Sequence, residues 1–147
     1  MFRKLISTTN EYSVTIMRVA LGVVFFPHGS QKLLGWFGGN GFSATMGFFT
    51  HNGIPAPLAF LAIAAEFFGA IGLITGLLGR VAAFGVGCVM VVAVLTVSMQ
   101  NGFFMNWTGK QSGEGFEFHI LAIALALAIM IKGSGALSVD WLLSRRK

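Results

Sequence analysis

Six side chains able to do chemistry lie within or at the ends of apolar runs: Arg18, His28, Lys32, Glu66, Glu117 and His119. Glu66 is the most informative. It sits near the middle of the run from Ile54 to Leu78, where the other polar side chain is Thr75. A carboxylate in such a run is costly and needs a partner or a polar cavity. Carboxylates and imidazoles in an apolar setting suit proton transfer, or hydrogen bonding to the carbonyl oxygens of a quinone headgroup. The same residue types ligate metals. However, the chain has no H-x-x-x-H or E-x-x-H pair, so no metal site is assigned. The simplest alternative is that Glu66 pairs with a basic residue only to neutralise charge and fix helix register.

The elements that position these residues follow from hydropathy. Apolar segments over about 13–34, 56–78, 80–99 and 116–131 predict four membrane-crossing helices in one domain spanning 1–147. The expected class is therefore all-α, a four-helix transmembrane bundle. Counting at 1.5 Å per residue puts Glu66 roughly 14 Å below the outer end of its helix and His28 about 9 Å below the outer end of the first. His28 is thus the expected partner of Glu66, with Arg18 as an alternative through its long side chain. Lys32, Glu117 and His119 extend the cluster toward the outer face. Glu66 and His28 are the candidate proton-handling pair, and Arg18, Lys32, Glu117 and His119 the candidate ligand-binding groups.

Small residues support close packing. Arg18, Gly22, Gly29 and Lys32 share one face of the first helix, and Ala59, Ala62, Gly69 and Ala70 share the face of Glu66. Ala122, Ala124, Ala126 and Ala128 suit the fourth helix to packing. Pro27 is expected to loosen the first helix by removing a donor for the carbonyl of Val23. Leu78-Gly79-Arg80 is a tight connection between antiparallel helices. Phe42 to His51 reads as a short interfacial helix, and Trp36 and Trp107 as interfacial anchors. His51 reads as an exposed loop histidine, and Lys132 and Asp140 as boundary residues.

Composition agrees with the membrane class: 55% of the 147 residues are hydrophobic and 10% charged. The net charge of +5 comes mainly from residues at the ends of apolar runs. It predicts membrane lipid, not nucleic acid, as the partner of the basic face. Arg3, Lys4, Arg80, Lys132, Arg145, Arg146 and Lys147 fall on one side, and Lys32 and Lys110 on the other. Both termini are expected in the cytoplasm, with the first segment an uncleaved membrane helix. Cys88 is the single cysteine, expected to be buried, and it excludes an intramolecular disulfide or a C-x-x-C pair.

Read in order, Arg18-x-x-x-Gly22, His28-Gly29-x-x-Lys32, Gly53-x-Pro55, Glu66-x-x-Gly69, Gly76-x-x-x-Arg80 and Gly133-x-Gly135-x-x-Ser138-x-Asp140 form an ordered set. Asn106-Trp107 and Gly113 through His119 continue it. The chain resembles the DoxX family of small four-helix bacterial membrane proteins over nearly its whole length. The resemblance implies an inner-membrane oxidoreductase, or a subunit of one, linked to the quinone pool, with Arg18, His28, Lys32 and Glu66 as its charged core. A second expectation is a non-catalytic subunit that anchors a soluble redox protein. A small-solute permease ranks lower, because four short helices enclose little volume unless they form a homo-oligomer.

Overall fold

The computed structural model describes residues 2–145. Arg146 and Lys147, placed with the basic side above, lie outside the described residues. Helices α1 (Phe2–Leu5), α2 (Tyr12–Leu34), α3 (Gly41–His51), α4 (Ala56–Thr75), α5 (Gly79–Ala93), α6 (Glu117–Lys132) and α7 (Val139–Arg145) follow one another, and no strand occurs among the described residues. Helix α5 continues through a π-helical turn at Val94–Ser98 and a 3₁₀ turn at Met99–Asn101. With that extension, α2, α4 and α5 are each long and apolar enough to cross a membrane. Helix α6 has 16 residues, about 24 Å at 1.5 Å per residue.

Local sequence sets the ends. Helix α2 stops at Gly35 (φ 73°) and α4 at Gly76 (φ 70°), both left-handed positions suited to glycine. Only three residues join α4 to α5, and Leu78 also takes a positive φ of 51°. Pro27 lies inside α2, which runs through it over 23 residues. The loosened backbone expected there does not break the helix.

Backbone contacts make the bundle antiparallel. Gly22 faces Ala70 and Ile74, whereas Gly29 faces Phe67 and Glu66, so α2 and α4 run in opposite directions. A β-carbon on Gly22 would lie 2.9 Å from the Ala70 carbonyl oxygen. One on Gly29 would lie 2.5 Å from the Phe67 α-carbon. The two helices therefore touch backbone to backbone, and only glycine permits this approach. Gly69 and Gly85 similarly admit α5 to α4. Leu21, Phe25, Leu73, Val86, Met90 and Ile129 fill the common core. In α6, Ala122 and Ala126 are buried, but Ala124 is exposed, so the alternating alanines do not all pack.

Cys88 is exposed on α5, correcting the expectation that it is buried. Its neighbours on the outward side include Phe84, Val91 and Val92, all exposed. Ile16, Phe68, Leu95, Leu121 and Ile131 are exposed too. Apolar side chains on this scale around a bundle suit contact with lipid rather than water.

Both termini meet at one end of the bundle, called here the closed end. The Thr9 amide donates to the Lys132 carbonyl (3.2 Å), the Ala136 amide to the Glu11 carbonyl (3.2 Å), and the Asp140 amide to the Gly76 carbonyl (2.9 Å). Helix α3 and the two long connections sit at the opposite, loop end. The first and last described segments thus share one end, and the long connections share the other.

Candidate functional site

The structure separates the six candidate residues into distinct groups. Glu66 pairs with Lys32 through its Oε2. Among the described residues no hydrogen bond or ion pair joins Glu66 to His28 or Arg18, the partners that helix depth had favoured. The reason lies in the α2–α4 crossing. Gly29 seats directly on the backbone at Phe67, and Lys32, three residues on, projects over the same face. Its long side chain reaches down to Glu66, whereas His28 lies off the seam. His28 is exposed, with its ring 6.3 Å from that of Phe25.

The pair is asymmetric. The Glu66 side chain is 4% exposed and that of Lys32 is 29% exposed. The lysine side chain is therefore partly open while the carboxylate stays in the bundle. Ser30, between Gly29 and Lys32, is fully buried, and its Oγ has no hydrogen-bond partner. A buried ion pair gives little net stability over apolar packing, and an orphaned hydroxyl detracts from it.

Arg18 occupies the opposite end of α2 and is 1% exposed. Its Nε donates to the Ser134 carbonyl (2.7 Å). Its Nη1 donates to the Leu73 carbonyl and to that of Ile74 (2.8 Å), and its Nη2 to that of Leu137 (3.3 Å). Leu73 and Ile74 form the last turn of α4, whose free carbonyls carry the negative end of the helix dipole. The guanidinium serves as a cap joining three segments and stands apart from Glu66. Asp140, 1% exposed, works beside it. Its carboxylate accepts from the amides of Leu78 (2.8 Å) and Gly79 (3.0 Å) at the start of α5, and from Ser134 Oγ (2.5 Å). Asp140 is thus a buried clasp on a helix N-terminus as well as a boundary residue.

Glu117 and His119 diverge although they are close in sequence. Glu117 Oε1 accepts from the Met105 amide (2.8 Å) and from Trp107 Nε1 (2.9 Å), so it folds the last long loop. His119 turns toward α5, where its Nε2 lies 3.4 Å from Ser98 Oγ at the end of the π turn. A π turn rotates the residues after it about the helix axis, which helps bring Ser98 to this face. No group of three or more His, Cys, Asp or Glu residues forms a metal cluster among the described residues.

The role of Glu117 carries a direct expectation. Glu117→Ala removes the acceptor of both loop donors. The loop around exposed Lys110 should then be cleaved by trypsin several-fold faster than in the parent, while helix content stays unchanged. Equal cleavage rates would show that Glu117 does not order this loop.

A family model described as DoxX matches residues 13–99, more than half of the chain. The chain belongs to the DoxX family. It is also 27% identical over 130 residues to the protein named "Putative oxidoreductase CatD" of Bacillus subtilis (strain 168), covering 88% of this chain and 86% of that one. An uncharacterized protein of Haemophilus influenzae is 29% identical over 139 residues, covering 88% of this chain and 89% of its own. No solved structure matches the chain. The DoxX match covers α2 through the π turn, hence Arg18, Lys32, Glu66 and Ser98, and stops short of Glu117, His119 and Asp140.

In this DoxX protein, three structural contributions escaped the sequence reading. Asp140 had a signal, as a lone acid among basic and apolar residues near the C-terminus. Ser134 had a weaker one, between two glycines. The π turn had none, since Val94–Ser98 is as apolar as the helix before it.

Proposed function

We propose that this DoxX protein is a bacterial inner-membrane subunit that supports a quinone-linked redox reaction, with Lys32 and Glu66 as its proton-handling pair. In this reading α6 supplies the fourth crossing and the closed end faces the cytoplasm. The positive-inside distribution supports that orientation. The observation that carries the proposal is Glu66 itself: a carboxylate 3% exposed in an apolar helix, bonded to a lysine whose side chain is partly exposed.

The residues present fit a quinone headgroup. Lys32 offers a cationic donor beside the carboxylate of Glu66. Bound quinone would accept two electrons and two protons, with the electrons coming from a redox partner. Glu66, held beside the ammonium, stores or releases a proton as that partner's charge changes. Glu117 keeps the loop over this end of the bundle in order, and the close seam at Gly29 excludes water from the carboxylate.

Glu66→Gln tests the reading. The variant should accumulate and unfold like the parent but lose at least tenfold of its quinone-dependent reduction. Lys32→Met combined with Glu66→Leu separates function from pairing. If this double variant restores both accumulation and activity, the pair is structural and the proposal fails. Organic extraction of the purified protein should also release quinone.

A second reading is a non-catalytic anchor for a soluble redox protein. It is favoured by Phe103, Phe104 and Trp107, exposed together in the last long loop, with the Trp107 indole N–H turned inward to Glu117. Cross-linking from this loop should then recover a soluble oxidoreductase, and Glu66→Gln should leave that capture unchanged.

A further inference from the structure

The closed end carries a second feature, unconnected with Glu66. An open cavity of about 250 Å³ is lined by Leu5 of α1, Arg80, Val81 and Phe84 of α5, and Met130 of α6. Its walls are apolar, with Arg80 contributing its stem. The Arg80 guanidinium reaches past the groove, donating through Nε to the Ser7 carbonyl (3.1 Å) and through Nη1 to the carbonyls of Met130 and Ile131 (3.0 Å for Ile131). Those acceptors are neutral carbonyls, two of them at a helix C-terminus. Among the described residues the ion pairs are Lys32–Glu66 and Lys132–Glu11, so no carboxylate neutralises Arg80. Arg3 and Lys4, both exposed, adjoin Leu5 in the same short helix.

We infer that this groove holds an acyl chain of an anionic phospholipid, with the headgroup phosphate drawn to Arg80, Arg3 and Lys4. The occupant follows from charge and shape. An apolar groove at the end of a membrane helix bundle suits a lipid tail, and Arg80 in its lining, with Arg3 and Lys4 on the same short helix as Leu5, favours a negative headgroup over a zwitterionic one. A peptide partner is disfavoured, since the groove offers almost no hydrogen-bonding surface for a backbone. Bound there, the lipid would tie α1 to α5 and α6.

The test uses the full-length protein in neutral detergent. Its thermal midpoint is followed on adding phosphatidylglycerol, phosphatidylcholine or inorganic phosphate. Phosphatidylglycerol should raise the midpoint by about 3 °C or more, and the other two by far less. Val81→Trp, which fills the groove from an exposed position, should abolish that rise. Arg3→Gln with Lys4→Gln, at exposed sites, should reduce it toward the phosphatidylcholine value. The inference is overturned if phosphatidylcholine or phosphate alone gives the same rise, or if both variants keep the full response.

Discussion

Arg18→Met is expected to be the most damaging single substitution in this chain, preventing accumulation or lowering stability by about 3–5 kcal/mol. The substitution keeps an unbranched apolar stem, so the loss reports mainly on the guanidinium. Four carbonyls from α4 and from residues 134–137 would lose their donor, two of them in fully buried bonds. Asp140, 1% exposed, would also lose the charge of a buried cation that shares its segment through Ser134. A deficit of that size is comparable with the whole margin of a small domain, roughly 5–15 kcal/mol. Arg18→Lys should fall between, since an ammonium has three donors but no planar fork. Thermal unfolding in detergent, with yield from membranes, measures all three proteins. A parent-like midpoint for Arg18→Met would show that the carbonyls find other donors.

Gly29→Val should have the second-largest effect, and it should reach function as well as folding. The added atoms would strike the Phe67 backbone at 2.5–2.6 Å, and a main chain cannot rotate aside as a side chain can. Helix α2 must then move off α4, carrying Lys32 away from Glu66. Overpacking of this kind costs about 1–3 kcal/mol or more, and the retreat of Lys32 leaves a buried carboxylate exposed to solvent or protonated. Gly47→Ala is the control. Nothing lies within 4 Å of its added carbon in α3, so it should be neutral or stabilising by up to about 1 kcal/mol. If Gly29→Val unfolds like Gly47→Ala, the backbone seam is not tight in the membrane.

Much of the fold was legible in the sequence because hydrophobic run length decides a membrane helix almost alone. The segment ends expected near 34 and 56 coincide with those of α2 and α4. The expected 78 overran Gly76, whose left-handed turn ends α4 at Thr75. The small-residue faces of α2 and α4 were legible for the same reason. The site was less so. Helix depth alone ranked His28 above Lys32 as the partner of Glu66, because depth measured at the α-carbon ignores a lysine's reach. Nor does depth indicate which way a ring points, and His28 proved to lie off the seam. Arg18 was placed on the correct face, but its acceptors are main-chain carbonyls, which have no signature in side-chain sequence. Asp140 was read as a boundary residue because only the chain's return to Leu78 and Gly79 gives it donors.

The distribution of polar bonds also has a mechanical consequence. Arg18, Arg80, Asp140 and both terminal segments stitch one end of the bundle, while the other is held mainly by packing and by loops. Such a bundle is expected to open, if at all, by pivoting about its stitched end. Lys32 stands fourteen residues from Arg18, about 21 Å along α2. A tilt of about 4° at the pivot therefore carries the Lys32 backbone roughly 1.5 Å, enough to lengthen its hydrogen bond to Glu66 while every bond at the pivot stays intact. Paired spin labels at Leu34 and Leu58 should show a broader distance distribution than labels at Leu5 and Leu142, and equal widths would rule this motion out. The ion pair lies on the side of the bundle away from that pivot, so a swing of α2 there would change the spacing between the two charges while leaving the stitched end intact.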